Sequence, residues 1–241
     1  MPAFFRRLRH ALTGAPALAM LAIRAPIAVR VLLQRLTYLH PRKLARIVAA
    51  ADHARNLPGD VCEFGVALGG SGIVLAARMG PVQRFAGFDV FGMIPPPTSD
   101  KDDAKSRQRY AVIASGQSRG IDGQTYYGYR AELLAEVRAA FARYGVADDG
   151  ARIRLIEGLF EDTLPTAHID RVALAHIDCD WYDPVRLCLA YCADRMAAGG
   201  IIVIDDYHDY GGCRTAVDEF LAARPDFVIE AGPNPFLVKV A

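Results

Sequence analysis

The sequence predicts an α/β fold: a mostly parallel seven-stranded sheet with helices on both faces, an antiparallel edge hairpin and a helical arm at the N-terminus. Three observations predict it. Short apolar runs alternate with helix-period segments across residues 57–241. Acidic residues stand at the carboxyl ends of four of those runs. The last two runs follow one another with little between them, which suits an antiparallel hairpin.

Taken in order, residues 17–36 and 42–56 read as helices. In the second, Leu44, Ile47, Val48 and Ala51 recur at helical spacing. Leu57-Pro58-Gly59-Asp60 breaks the pattern. Residues 61–64 read as a short buried strand, followed by the glycine-rich Gly65-Val66-Ala67-Leu68-Gly69-Gly70-Ser71 and a helix over 73–79. Residues 85–88 form the second strand, which ends on Asp89. Residues 91–130 open on Gly92 and Pro95-Pro96-Pro97, turn polar, hold a predicted helix over 101–114 and close on Tyr126-Tyr127-Gly128-Tyr129. An excursion of that length between core elements predicts a lid. The alternation resumes with a helix over 132–144, strands over 153–156 and 172–177, a helix over 184–196 closed by Gly199-Gly200, and a strand over 201–204. A helix over 213–223 and strands over 227–230 and 236–240 complete it.

At 241 residues, 52% apolar and 23% charged, the chain has material for a sizeable core, and wholesale disorder is excluded. Lys and Arg number 28 against 27 Asp and Glu, a net charge of +1. That is short of the basic excess of a protein that coats nucleic acid. The balance conceals a split. Residues 1–50 hold nine basic residues and no acid, which leaves 19 basic and 27 acidic residues for 51–241. Residues 1–56 therefore read as a basic helical arm, and residues 57–241 as the functional domain with 91–130 inserted.

The five cysteines are odd in number and form no Cys-x-x-Cys pair, so reduced thiols in a cytoplasm are the expectation. No run of 18 apolar residues is uninterrupted. Arg6-Arg7-Leu8-Arg9 and the stretch after it imitate a signal peptide, but Thr13, Gly14 and Pro16 interrupt the apolar run and no convincing cleavage region follows. The preferred reading of the arm is packing on the body or on a second subunit, in a homo-oligomer. Peripheral contact of residues 1–35 with a membrane is the alternative.

In open α/β sheets, ligands bind at the carboxyl ends of the strands. Glu63, Gly65, Gly69 and Ser71 surround the first strand–helix turn, where glycines let a ligand approach the backbone and the helix N-terminus offers N–H groups. Asp89, at the next strand end, is placed to accept both hydroxyls of a ribose diol. The pair reads as a nucleoside-type cofactor site. A nicotinamide dinucleotide would call for Gly-x-Gly-x-x-Gly, which is absent. S-adenosylmethionine fits better, since it needs anchors for an aminocarboxylate and a diol but no pyrophosphate cradle. Asp178, Asp205 and Asp206 at two further strand ends suit a hard divalent cation such as Mg²⁺. A cation beside a sulfonium donor implies methylation of a hydroxyl, with Asp180 as general base. On an extended segment, Asp178 and Asp180 would face the same side.

These residues also carry a resemblance. Gly59-Asp60-Val61-x-Glu63-x-Gly65-Val66 with Gly69-Gly70-Ser71, Gly87-Phe88-Asp89-x-Phe91, Gly158-x-Phe160-x-Asp162-Thr163-Leu164-Pro165, Asp178-x-Asp180-x-Tyr182, Gly199-Gly200-x-Ile202-x-Ile204-Asp205-Asp206-Tyr207 and Gly212-Cys213-Arg214-x-Ala216-Val217-Asp218-x-Phe220 occur in order across residues 59–220. In these the chain resembles the macrocin O-methyltransferases, Mg²⁺-dependent enzymes that use S-adenosylmethionine to methylate sugar hydroxyls of antibiotics. The resemblance implies a Rossmann-like class I methyltransferase fold. It implies Asp178, Asp205 and Asp206 as metal ligands and Asp180 as base. Glu63, Gly65, Ser71 and Asp89 would hold the donor, with the turn of Gly158, Leu159 and Phe160 beside the adenine. The acceptor implied is a small molecule or glycan bearing a sugar, with no role for nucleic acid.

Residues 1–40 and 92–130 carry no matching motif. Tyr126, Tyr127 and Tyr129 would suit stacking on a sugar face, and Tyr182 and Tyr207 are candidates to line the acceptor pocket. His176 reads as a core histidine, and His208 follows the metal pair. A catechol-type O-methyltransferase acting on a phenol shares the metal logic and is the alternative. A nicotinamide oxidoreductase and a silent scaffold are the others.

Overall fold

The computed structural model describes residues 3–240, with side chains from residue 14 onward. The chain starts with three helices, α1 (Ala3–Arg24), α2 (Pro26–Leu33) and α3 (Pro41–Ala54). The single helix expected over 17–36 is thus two. Pro26 opens α2, and the residue before a proline is pushed out of the helical region; Ala25 sits at φ −147°, ψ 68°. His40 caps α3 by accepting from the Arg42 N–H, and Pro41 fills the first turn.

The strands are β1 (Asp60–Phe64), β2 (Phe85–Asp89), β3 (Ile153–Glu157), β4 (Val172–Ile177), β5 (Met196–Ile204), β6 (Phe227–Glu230) and β7 (Phe236–Lys239). They form one sheet in the order β3-β2-β1-β4-β5-β7-β6. The first five are parallel, and β7 runs antiparallel between β5 and β6. Chain order reverses between β1 and β4, which makes the crevice beyond their carboxyl ends the natural ligand site.

β5 starts well before the expected residue 201. Gly199-Gly200, which reads as a helix stop, lies inside the strand, with Gly199 at φ +75° and a register shift against β4 nearby. The alanine-rich Met196-Ala197-Ala198 carries no period that separates strand from helix.

Between the strands run α4 (Gly70–Arg78), α5 (Ala104–Ala114), α6 (Leu133–Arg143), α7 (Phe160–Thr163), α8 (Tyr182–Ala193) and α9 (Gly211–Ala223). Successive strand residues point to opposite faces. Val61, Phe85 and Val203 join α4 and α6 in one core; Cys62, Phe64, Phe88 and Ile202 join α8 and α9 in the other. The first core also takes Leu21, Val31, Leu44, Ile47 and Val48, so α1–α3 cover one face of the sheet. The membrane reading of residues 1–35 leans on Arg6, Arg7 and Arg9, whose side chains lie outside those described. Among the described residues, no helix is long and apolar enough to cross a membrane.

The link after α2 is sealed to the start of α4. Gly70 N–H donates to Leu36 O at 2.8 Å, and a Cβ on Gly70 would lie 2.4 Å from that oxygen. Gly70→Ala must push the two backbones apart, and we expect it to cost about 1–3 kcal/mol in chemical denaturation. An unchanged unfolding midpoint would contradict this seal.

Candidate active site

Two ladder bonds bring the acids to one level. Asp178 N–H donates to Phe64 O at 2.8 Å, and Asp205 N–H donates to Ile177 O at 3.0 Å. The register that pairs Phe64 with Ile177 and Ile177 with Ile204 therefore sets Asp178 and Asp205 side by side at the sheet edge. Gly65 makes room for this: it sits at φ +93°, and a Cβ there would fall 1.9 Å from Asp178 O.

Carboxylate oxygens of Asp178, Asp205 and Asp206 lie within 4.8 Å of one another. Asp180 joins them by a route that differs from the expected pleat. Trp181 N–H donates back to Cys179 O at 2.7 Å, which closes a γ-turn around Asp180 at φ +61°. Asp180 N–H in turn donates to Asp206 Oδ2 at 3.2 Å.

Burial, and then the neighbouring acids, push the Asp178 and Asp206 carboxyls well above the ordinary range, with Lys43 opposing. Burial likewise raises Asp180 to about 7; Arg109 opposes, and Asp205 and Asp209 add to the rise. Lys43 comes from α3. Its Nζ donates to Asp205 O, Asp205 Oδ2 and Asp209 Oδ2, each at 2.9 Å. Burial alone would lower this ammonium, but the two acids outweigh it and hold Lys43 firmly charged. Asp205 Oδ1 is buried with no hydrogen-bond partner.

These acids floor a cavity of about 660 Å³. Gly65, Ala67 and Asp89 border one side, and Gly158, Leu159 and Phe160 another. The excursion over 91–130 supplies the roof, with Ile94, Pro95, Tyr126 and Tyr127 facing inward. Asp89 is more committed than the diol reading assumed. Its Oδ2 accepts from Val66 and Ala67 N–H at 2.7 and 2.9 Å, and its Oδ1 accepts from Phe91 N–H at 2.7 Å. Of the roughly four lone-pair sites of a carboxylate, about one remains for a ligand. Burial raises Asp89 even so, against those N–H donors.

Several expected site residues stand elsewhere. Glu63 points to the opposite side of β1 from Phe64, fully buried, with Oε1 3.0 Å from His176 Nδ1. A Cβ on Gly72 would meet Glu63 Oε2 at 2.5 Å, so Glu63 lies beneath α4 instead of in the cavity. Gly69 caps α4 at φ +87° against Phe141 and Val137, and Ser71 is buried in the first turn. The first N–H of α4, expected to face an anion, is spent on Leu36 O. Tyr129 anchors residues 113–118: its hydroxyl donates to Ile113 O at 2.6 Å and accepts from Ser118 N–H at 3.1 Å. The Tyr182 hydroxyl donates to Glu219 Oε2 at 2.6 Å and accepts from Lys101 Nζ at 2.8 Å. The Tyr207 hydroxyl donates to Asp218 Oδ1 at 2.8 Å. None of these three tyrosines lines the cavity. His176 is a core residue, and His208 Nε2 lies 3.0 Å from Gly232 O.

Tyr126 and Tyr127 do line it, with ring centroids 4.4 Å apart. Burial raises the Tyr126 hydroxyl to about 12. Lining residues that sequence reasoning missed include Lys43, Lys105, Arg109, Trp181 and Tyr210. Trp181 Nε1–H donates to Pro95 O at 3.0 Å and ties roof to floor. Lys105, Arg109 and Ile113 recur every fourth residue of a predicted helix, a signal that could have been read. Lys43 carries no such signal.

The strand order, with β7 inserted antiparallel, and the ligand cleft at the β1/β4 crevice define the class I methyltransferase fold. The macrocin-O-methyltransferase (TylF) family matches residues 34–226, and the chain belongs to that family. It is 33% identical over 171 residues to the 8-demethyl-8-(2,3-dimethoxy-alpha-L-rhamnosyl)-tetracenomycin-C 4'-O-methyltransferase of Streptomyces olivaceus, which covers 69% of this chain and 59% of that protein. It is also 33% identical over 172 residues to the mycinamicin III 3''-O-methyltransferase of Micromonospora griseorubida, covering 68% and 61%. The chain thus spans about three fifths of the length of these curated relatives. Among solved structures, the O-methyltransferase NovP superposes with a TM-score of 0.70 at 26% identity, over 85% of this chain and 82% of that one. The calicheamicin methyltransferase CalS11 shares the fold at a TM-score of 0.62 and 20% identity, over 95% and 91%.

Residues 91–130 are pinned to the site through adjacent acids. Asp102 Oδ1 accepts from Tyr182 N–H at 2.9 Å at the start of α8. Asp103 accepts from Ser106 N–H through Oδ1 and from Gly211 N–H through Oδ2, at 2.8 and 2.9 Å, and so caps α5 and α9 together. Asp103→Ala should cost about 1–2 kcal/mol for each cap lost and expose residues 91–130 to limited proteolysis. Unchanged stability with residues 91–130 still protected would refute the pinning.

Proposed function

We propose that the chain transfers the methyl group of S-adenosylmethionine to a sugar hydroxyl, assisted by Mg²⁺, with Asp180 as general base. The observation that carries this reading is the triad of Asp178, Asp205 and Asp206 beside Asp180 at the end of a methyltransferase crevice. The activities of the two 33%-identical relatives, both sugar O-methyltransferases, support the acceptor class. Membership of the family speaks against the nicotinamide reading.

The residues fit a divalent cation. Three carboxylates within 4.8 Å repel one another, and the unpartnered Asp205 Oδ1 offers an oxygen that nothing else satisfies. Oxygen-only donors of this charge suit Mg²⁺. Asp178, Asp205 and Asp206 would hold it, and there it would lower the pKa of an acceptor hydroxyl and orient it. Gly65, Ala67, Asp89 and the turn of Gly158, Leu159 and Phe160 would hold the donor, whose sulfonium supplies an electrophilic methyl group. Asp89 fixes the Val66–Ala67 backbone so that the loop is formed before the donor arrives. The carboxylate of Asp180 takes the hydroxyl proton, and its raised pKa suits a base working near neutrality. The lid excludes water that would compete for the methyl group.

Methyl transfer to sugar glycosides should collapse in excess chelator and return with Mg²⁺; rates indifferent to chelator would remove the metal. Asp180→Asn should keep donor binding by calorimetry and lose about 10²-fold or more in kcat, and near-normal turnover would remove it as the base.

The acids also set a pH dependence. Carboxyls raised in the folded chain hold protons that the unfolded chain has already released above about pH 4. Their contribution to stability is therefore present at low pH and is lost as pH rises through the folded values, about 7 for Asp180. A cation competes with those protons, so Mg²⁺ should raise Tm more at about pH 8 than at about pH 5.5. Equal shifts at both, or none, would contradict the assignment.

A further inference from the structure

Two cations in the roof are not explained by methyl transfer to a neutral sugar. Lys105 and Arg109 are four residues apart on α5, and both line the cavity along with Ile113, one turn further on. The third basic residue of α5, Arg107, turns elsewhere and donates to Ser99, Asp100 and Asp102 carbonyls.

The simplest alternative makes the pair a counterweight to the acidic floor; Arg109 does oppose the rise of Asp180 through space, but neither cation makes an ion pair there. Lys43 performs that task directly, 2.9 Å from both Asp205 and Asp209 carboxylates. Among the described residues, neither Lys105 nor Arg109 has a carboxylate oxygen within 4.0 Å of its nitrogens. Lys105 Nζ donates to the backbone oxygen of Asp209, and Arg109 donates one N–H to Ser118 Oγ at 3.0 Å. Most of their eight donors are therefore uncommitted. Each also lies over an aromatic ring of the same cavity: Lys105 Nζ is 4.8 Å from the Tyr210 centroid, and the Arg109 guanidinium 5.5 Å from that of Tyr126. The rings hold the two head groups in place without using their N–H donors.

We infer that the acceptor carries an anionic group, a carboxylate or a phosphate, which Lys105 and Arg109 receive under the lid while its sugar hydroxyl faces Asp180. This rests on the methyltransferase reading above and narrows its acceptor. The division of charge sets the orientation. Lys43 is committed to Asp205 and Asp209 at the acidic floor, so the donors free to receive an anion stand at the roof. The reacting hydroxyl then lies at the end of the acceptor remote from its charge. Arg and Lys together suit either anion, since the guanidinium fork pairs with two oxygens and the ammonium adds a point charge.

The test is calorimetry of the full chain with Mg²⁺, titrated first with S-adenosylhomocysteine and then with glucose, glucuronate or glucose 1-phosphate. The inference predicts that one or both anionic sugars bind at least about tenfold more tightly than glucose, a difference of about 1.4 kcal/mol. It also predicts that the difference vanishes in Lys105→Gln/Arg109→Gln. Preference for glucuronate identifies a carboxylate, and preference for glucose 1-phosphate a phosphate. Equal affinity for all three sugars, or a preference that survives in the double variant, overturns the inference. Failure of S-adenosylhomocysteine to bind strikes the methyltransferase reading instead. The sugar titrations are then run on the cofactor-free chain, where the same comparison still decides the charge preference.

Discussion

The site depends on mutual repulsion held in place by a backbone ladder. β4 and β5 end at the same level because Asp178 and Asp205 each donate an N–H to the neighbouring strand. Their side chains, with those of Asp206 and Asp180, must then share a small, mostly buried space. Unpaired carboxylates so placed are costly. The sheet is able to hold them because the strands leading to them are buried on both faces and, His176 apart, apolar: every residue from Val172 to Ile177 is buried, and so is every residue from Ile201 to Ile204. The core supplies the stability that the edge gives up, a common arrangement at functional sites.

The same constraint accounts for one residue of the basic start of the chain, Lys43. A net charge of +1 conceals a segment without acids followed by an acidic body, and ion pairs from Arg35, Lys43 and Arg46 join the two, with Lys43 reaching the site. α3 packs on the sheet through Leu44, Ile47 and Val48, which fixes Lys43 beside Asp205 and Asp209. The link before it closes the start of α4 through Leu36. Residues 36–43 therefore act on both sides of the crevice, once by hydrogen bonding and once by charge.

Much of the fold was legible because its signals are local. Buried strands bounded by Gly, Pro and Asp, and the order of their alternation with helices, carried the sheet and its edge hairpin. The acids at strand ends were legible because a carboxylate closing an apolar run has little other reason to be there. What was not legible depends on direction. Glu63 lies one residue from the strand end, and the pleat turns it beneath α4, while Asp178 one strand over reaches the cavity. Asp180 reaches the cavity through a γ-turn and not through an extended backbone. Tyr129, Tyr182 and Tyr207 resemble pocket aromatics by composition, but each hydroxyl is engaged away from the cavity. Lys43 was invisible because its partner is 162 residues away. Pairings across such separations are set by tertiary packing and leave no periodic trace in the chain.

The central claim is that the acidic edge is a cation site whose repulsion is relieved by Mg²⁺. Its most direct measurement is Mg²⁺ titration of the wild-type chain by calorimetry near pH 7, repeated in buffers of differing ionisation enthalpy. Burial, with neighbouring acids adding to it, raises the Asp178, Asp180 and Asp206 carboxyls, so an entering cation competes with protons there. The account predicts saturable binding of one Mg²⁺ per chain with proton release to the buffer, and loss of both in Asp205→Asn. Absence of binding, or binding without proton release, would contradict it.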